Sequence, residues 1–147
     1  MKDDNSIEKL SIIVYDHHFD RVHFALVLAS GSSAVGKPTT VFFTMGACNA
    51  LIETMANGSP GWSKMPLSDE PGVGSDRNSY YQNNGIATLE ELFDACKAFN
   101  VKFMVCEMGL KAKKFEKHSL RTDVDIETGG VVSFINDASK NGSIVFI

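Results

Sequence analysis

Four short apolar runs, rich in β-branched and aromatic residues, punctuate the chain: Leu10–Tyr15 (LSIIVY), Thr39–Thr44 (TTVFFT), Val101–Val105 (VKFMV) and Ser143–Ile147 (SIVFI). Alternation of apolar with polar residues marks a strand with one wet face, whereas unbroken apolar runs mark strands covered on both faces. Helix-length segments separate the runs. Strands alternating with helices in this way predict a three-layer α/β/α sandwich around a mainly parallel sheet. With a weaker fifth strand near Leu120–Val124, the sheet is expected to have about five strands. In open sheets of this kind ligands bind beyond the carboxyl ends of the strands. Asp16, the Thr44–Cys48 turn and Cys106 are therefore expected to meet at one rim.

Between the strands, Asp20 is placed to cap a helix that carries Val22, Ala25, Leu26 and Ala29 on its inner side and ends near Ser30. Cys48–Met55 reads as a short helix. Residues 57–84 show little periodicity, and a long structureless stretch in a compact domain is usually a lid or an oligomer contact. Trp62, Met65 and Leu67 within it need cover, over a pocket or against a neighbouring subunit, and Tyr80 and Tyr81 lie close by in sequence. Thr88 and Glu91 form a capping box ahead of Leu89, Leu92, Phe93, Cys96 and Phe99, which repeat with helical spacing. Gly109–Lys117 reads as a basic helical turn or two. Gly130–Ala138 reads as a helix packing Val131, Phe134, Ile135 and Ala138.

The totals bound the function. At 147 residues and 44% hydrophobic, the chain suits one domain spanning 1–147. A net charge of −4 gives no support for binding nucleic acid. Three cysteines, an odd number, do not suggest a disulfide scaffold. The amino end, MKDDNSIEKL, does not read as a signal peptide, and no run approaches the roughly 20 apolar residues of a spanning helix. A soluble cytoplasmic domain without a membrane partner is expected.

Several features invite over-reading. Gly31–Pro38 (GSSAVGKP) matches a phosphate-binding loop until its last letter, where proline replaces the magnesium-binding hydroxyl. Its context is also reversed, with a helix before it and a strand after. His17 and His18 flank Asp16 and Asp20, but adjacent residues on a helix do not face each other, so the pair would need help from a loop to hold one ion. A surface or helix-start role is preferred, and neither a metal nor a cofactor is expected. A histidine overhanging Cys106 would instead serve as a proton carrier. The lysines at 111, 113, 114 and 117, with His118 and Arg121, form the one local charge excess. They read as a solvated face, with attraction of an anion such as thiosulfate or a persulfide as the alternative.

The three cysteines are not equivalent. Cys96 lies on an apolar helical stripe and reads as core. Cys48 opens a short helix, where unpaired N–H groups would lower a thiol's pKa, with tight packing beneath the turn as the equal alternative. Cys106 ends a strand at the ligand-binding rim, and a thiolate there can attack a sulfane sulfur and hold it as a persulfide. Glu107 beside it would raise the thiol's pKa if it pointed inward; pointing outward, it would manage protons or dock a partner.

At these residues the chain resembles a known family. The segments VFFTMGACNALIE, VKFMVCEMG and DVDIETGGVVSFINDASKNGSIVFI are similar to the DsrE/DsrF-like proteins, in the single-chain branch that carries the label peroxiredoxin. The similarity runs in order from Leu10 to Ile147. It implies a DsrEFH-like three-layer fold, homo-oligomers of three or six chains, and a sulfur-relay role with Cys106 as the reactive cysteine. It also implies protein partners of the rhodanese-like and sulfur-carrier kinds. Two features depart from the pattern: the lysine-rich segment after Leu110, and the turn TMGACN, which lacks an aromatic residue.

The leading expectation is a sulfur carrier or sulfurtransferase-like protein using Cys106; whether it is an enzyme stays open. One rival is a thiol oxidoreductase cycling a disulfide between Cys106 and Cys48 or Cys96, which needs α-carbons within about 7 Å. The other is an oligomeric module that binds a small ligand and keeps an unreachable Cys106 sulfur.

Overall fold

In the computed structural model, residues 7–53, 58–116 and 118–147 are described. Five parallel strands form one sheet: β1 (Leu10–Val14), β2 (Thr39–Phe43), β3 (Lys102–Cys106), β4 (Ile126–Gly129) and β5 (Ser143–Phe146). Their order across the sheet is β4-β3-β2-β1-β5. The helices are α1 (Phe19–Ala34), α2 (Gly74–Asn83), α3 (Leu89–Ala98), α4 (Glu107–Ala112) and α5 (Val131–Asp137). The α/β fold expected from the apolar runs is present. Among the described residues no helix is long and apolar enough to cross a membrane.

Successive side chains of a strand point to opposite faces, and this alternation divides the core in two. Ile12, Val14, Val41, Phe43, Phe103 and Val105 belong to the larger apolar cluster, together with residues of α1 and α3. Ile13, Phe42, Met104 and Cys106 belong to the smaller one, where Phe134 of α5 joins them. The two faces are covered unequally. Of the seven residues of α5, Phe134 alone is buried.

That imbalance corrects the packing expected for the last helix. Val131, Val132 and Ile135 are exposed, as are Ile144 and Phe146 of β5 and Tyr15 just after β1. All of these except Val132 line an apolar cleft of about 390 Å³ whose floor includes Ile13, Phe42 and Phe134.

Other boundaries move for identifiable reasons. The cap of α1 is His18; the Asp20 carboxylate instead accepts hydrogen bonds from the backbone and hydroxyl of Ser68. The helix continues through Gly31–Ala34, and Gly36 ends it at φ +88°, a conformation glycine adopts without steric cost. GSSAVGKP is thus a helix end and a turn. The segment expected to be a short helix from Cys48 is a 3-10 turn at Met45–Leu51, while Met55 lies outside the described residues.

The long loop is largely structured. From residue 58 onward it holds a 3-10 turn at Gly61–Lys64 and then α2. Trp62, Met65 and Leu67 are buried in the chain's own core, so they need neither a lid role nor a neighbour to cover them. Gly74 makes this packing possible, because a Cβ there would lie 2.2 Å from the Trp62 carbonyl oxygen. The fifth strand is Ile126–Gly129, not Leu120–Val124, where Leu120 makes an isolated bridge to Ile52.

Candidate functional site

The carboxyl ends of β1, β2 and β3 lie side by side, and each is followed by residues singled out from sequence. Tyr15–His18 follow β1, Thr44–Gly46 follow β2, and α4 begins directly after Cys106 of β3. Gly109 lets α4 close against the middle turn: a Cβ at this position would lie 2.5 Å from Met45 N and 2.9 Å from Thr44 Oγ1. Gly46 plays the matching part on the other side, where a Cβ would lie 2.4 Å from His17 Cβ. The rim is therefore one packed surface, as the strand-end argument expects.

Cys106 is held on one side by the ladder of β3 with β4, where it pairs in register with Gly129, while the ladder with β2 ends one residue earlier at Val105. It packs with Phe42, Met104 and Phe134 and is 1% exposed. That burial is the feature expected of the non-catalytic rival. Glu107 opens α4 with its side chain in solvent, where its carboxylate lies 3.7 Å from Lys111 Nζ. It does not point inward.

Of the two environments open to it, Cys48 shows tight packing in the turn. It lies inside the 3-10 turn, fully buried, and not at a free helix start. Burial pushes its thiol up to about 12, the nearby Cys106 sulfur adds to the rise, and a backbone hydrogen bond offsets part of it. Cys96 is buried too, with its sulfur 3.8 Å from the Leu26 carbonyl oxygen, and burial raises it to about 12. Cys96 is core, as its stripe predicts. All three thiols are free, and neither partner thiol has surroundings that favour a thiolate.

The basic stretch divides. Lys111, Lys113 and Lys114 are exposed, and Lys117 lies outside the described residues. Arg121 is instead drawn inward to Glu90 and Asp123. Two polar constellations were missed or dismissed in sequence. The Asp137 carboxylate receives Lys9, Lys102 and Thr40 at the opposite end of the sheet. Asp16, His17 and His18 gather in the β1–α1 connection. Because His18 caps α1, both histidines precede the helix, and the objection that helical neighbours diverge does not apply to them.

A parallel α/β domain with a cysteine at the carboxyl end of an interior strand is the class that fold and site define. The chain belongs to the DsrE/DsrF/DrsH-like family, which it matches over residues 6–146. It is 24% identical to the sulfur carrier protein DsrE2 of Allochromatium vinosum, covering 95% of this chain and 98% of that protein. The uncharacterized protein YrkE of Bacillus subtilis is also 24% identical, over 95% of this chain and 97% of its own length. Among solved structures, the YchN protein of E. coli shares the fold, with a TM-score of 0.54 at 14% identity over 96% of this chain and all of that one.

Proposed function

We propose that this protein is a sulfur carrier that holds a persulfide or thiosulfonate on Cys106 and passes it to a protein partner. The observation that carries this reading is the place of Cys106: at the carboxyl end of a central strand, on the sheet face whose cover is a single short helix. The sulfur-relay family and the relative named as a sulfur carrier support it. In the transfer, the Cys106 thiolate attacks the outer sulfur of a persulfide donor. The donor's S–S bond breaks, its thiolate leaves, and the new S–S bond forms on Cys106; an acceptor thiolate later repeats the exchange. Tetrathionate would give the thiosulfonate in the same way, with thiosulfate leaving. Neither step needs an external oxidant.

Burial of Cys106 requires its cover to move before exchange, and α5 is built for that, with one buried side chain anchoring it. The same burial favours a second reading, a binding module with an inert thiol. Tyr15, Met108, Val131, Ile135, Ile144 and Phe146 expose an apolar surface around the cleft. β5 borders it as an edge strand without a charged residue to guard it. These features support homo-oligomer formation through this face. The odd cysteine count with free thiols fits the cytoplasm.

The test is intact mass after reduced protein meets polysulfide or tetrathionate, alongside Cys106→Ser. A reducible adduct of one sulfur atom or one thiosulfonate group, absent in the variant, is expected. An adduct that persists in Cys106→Ser moves the role to Cys48 or Cys96. A Cys106 that neither accepts sulfur nor alkylates in the folded protein establishes the inert-thiol reading.

A further inference from the structure

The β1–α1 connection brings one donor atom from each of Asp16, His17 and His18 within 4.8 Å of the others. The two imidazole rings lie 4.2 Å apart between centres. Their backbone is held in place. The His18 N–H donates to Asp16 Oδ1 at 2.8 Å, and the His17 Cβ fills the space that a side chain on Gly46 would need. His18 Nδ1 lies 2.5 Å from the same carboxylate oxygen.

From this juxtaposition of two imidazoles and a carboxylate in one loop we infer that Asp16, His17 and His18 form a binding site for a divalent first-row transition ion, of which zinc is the type. Imidazole nitrogen and carboxylate oxygen are the donors such ions select. Three protein ligands leave a position open for water or an anionic ligand, the pattern of an accessible site rather than a closed structural one. His17 is exposed and His18 partly so, which leaves both rings free to turn toward ligand distances of about 2 Å. In the ion-bound site the metal takes the place of the proton between His18 Nδ1 and Asp16. Arg21 opposes a cation here, with Nε 3.7 Å from Asp16 Oδ2, but its side chain is more than half exposed and can withdraw into water.

The site stands apart from Cys106. β2 separates β1 from β3, so their ends are two strand spacings apart, roughly 10 Å. The cysteine is not one of the ligands, and the inference does not rest on sulfur carriage.

The test is a cobalt titration of the full chain, free of any affinity tag and kept reduced, followed by competition with zinc. We expect one cobalt per chain, displaced by zinc, with no thiolate-to-cobalt charge-transfer band. Affinity should fall more than about tenfold in His17→Ala and in His18→Ala, and stay unchanged in Cys106→Ser and His118→Ala. In the unaltered protein, zinc should shift the ring-proton resonances of His17 and His18 and leave those of buried His23 in place, a readout that does not depend on a variant folding. Absence of saturable binding, survival of binding in the double variant, or its loss in Cys106→Ser would each overturn the site.

Discussion

The guanidinium carbon of Arg121 lies 3.8 Å from the centre of the Phe93 ring. Its Nη2 reaches Glu90 Oε2 at 2.5 Å and Asp123 Oδ2 at 2.6 Å, while Glu90 Oε1 accepts from the Trp62 indole at 2.9 Å. A planar cation is thus clamped between a ring and two carboxylates, and the chain crossing back toward β4 is fastened to α3. Lysine has neither the plane nor the fork. Arg121→Lys should cost about 1 kcal/mol, mostly the lost stacking, since both carboxylates are nearly half exposed. Chemical denaturation followed by Trp62 fluorescence measures it; an unchanged midpoint refutes it.

Asp137 should make stability fall in acid. Burial pushes its carboxyl up, but hydrogen bonds from Lys102, Lys9 and Thr40 outweigh that and hold it at about 2, below the ordinary 3.8. A folded pKa below the unfolded one stabilises fully above the unfolded value and is lost as pH falls through the folded value. The contribution, about 2 kcal/mol, should therefore fade between pH 3.8 and about 2. Asp137→Asn should be less stable at neutral pH and lack that part of the acid dependence. Urea unfolding at a series of pH values compares the two.

Phe134 ties α5 to the sheet through a stacked contact with Phe42, with ring centres 5.0 Å apart. Phe134→Ala should destabilise by about 3–4 kcal/mol. The same change should speed alkylation of Cys106, because Phe134 belongs to the cluster around its sulfur. Timed alkylation with mass readout decides this: equal rates in both proteins would mean that α5 is not the cover.

Gly109→Ala should cost about 1–3 kcal/mol, since its Cβ would meet backbone at Met45 N and not a flexible tip. Met45 is itself at φ +49°, so the turn has little freedom to yield. Thermal unfolding of the variant gives the number, and a loss below a few tenths of a kcal/mol would show that α4 can shift.

Strand content was legible where burial on both faces wrote an apolar run, as in β1, β2 and β3. β4 was not, because Ile126–Gly129 is a short edge strand carrying a glutamate, a threonine and a glycine. Residues 120–124 are the better apolar match, yet Arg121 and Asp123 use that stretch for ion pairing. Polar α2 has no apolar stripe to announce it, and the Gly74 approach that seats it depends on residues distant in sequence, Phe19 among them. At the site, the strand-end position of Cys106 followed from sequence alone. Its depth did not, since that depends on how Phe134 and Phe42 meet across the sheet.

The pairing of Cys106 with Gly129 has a mechanical consequence. A thiol on a swinging tail can deliver its cargo, but this one is the last residue of an interior strand of the sheet. Any atom attached to it would stay at a constant address while only the door in front of it moves. The reach needed for a hand-over must then come from the visitor, so a matching acceptor would carry its own thiol on a slender, extendable arm.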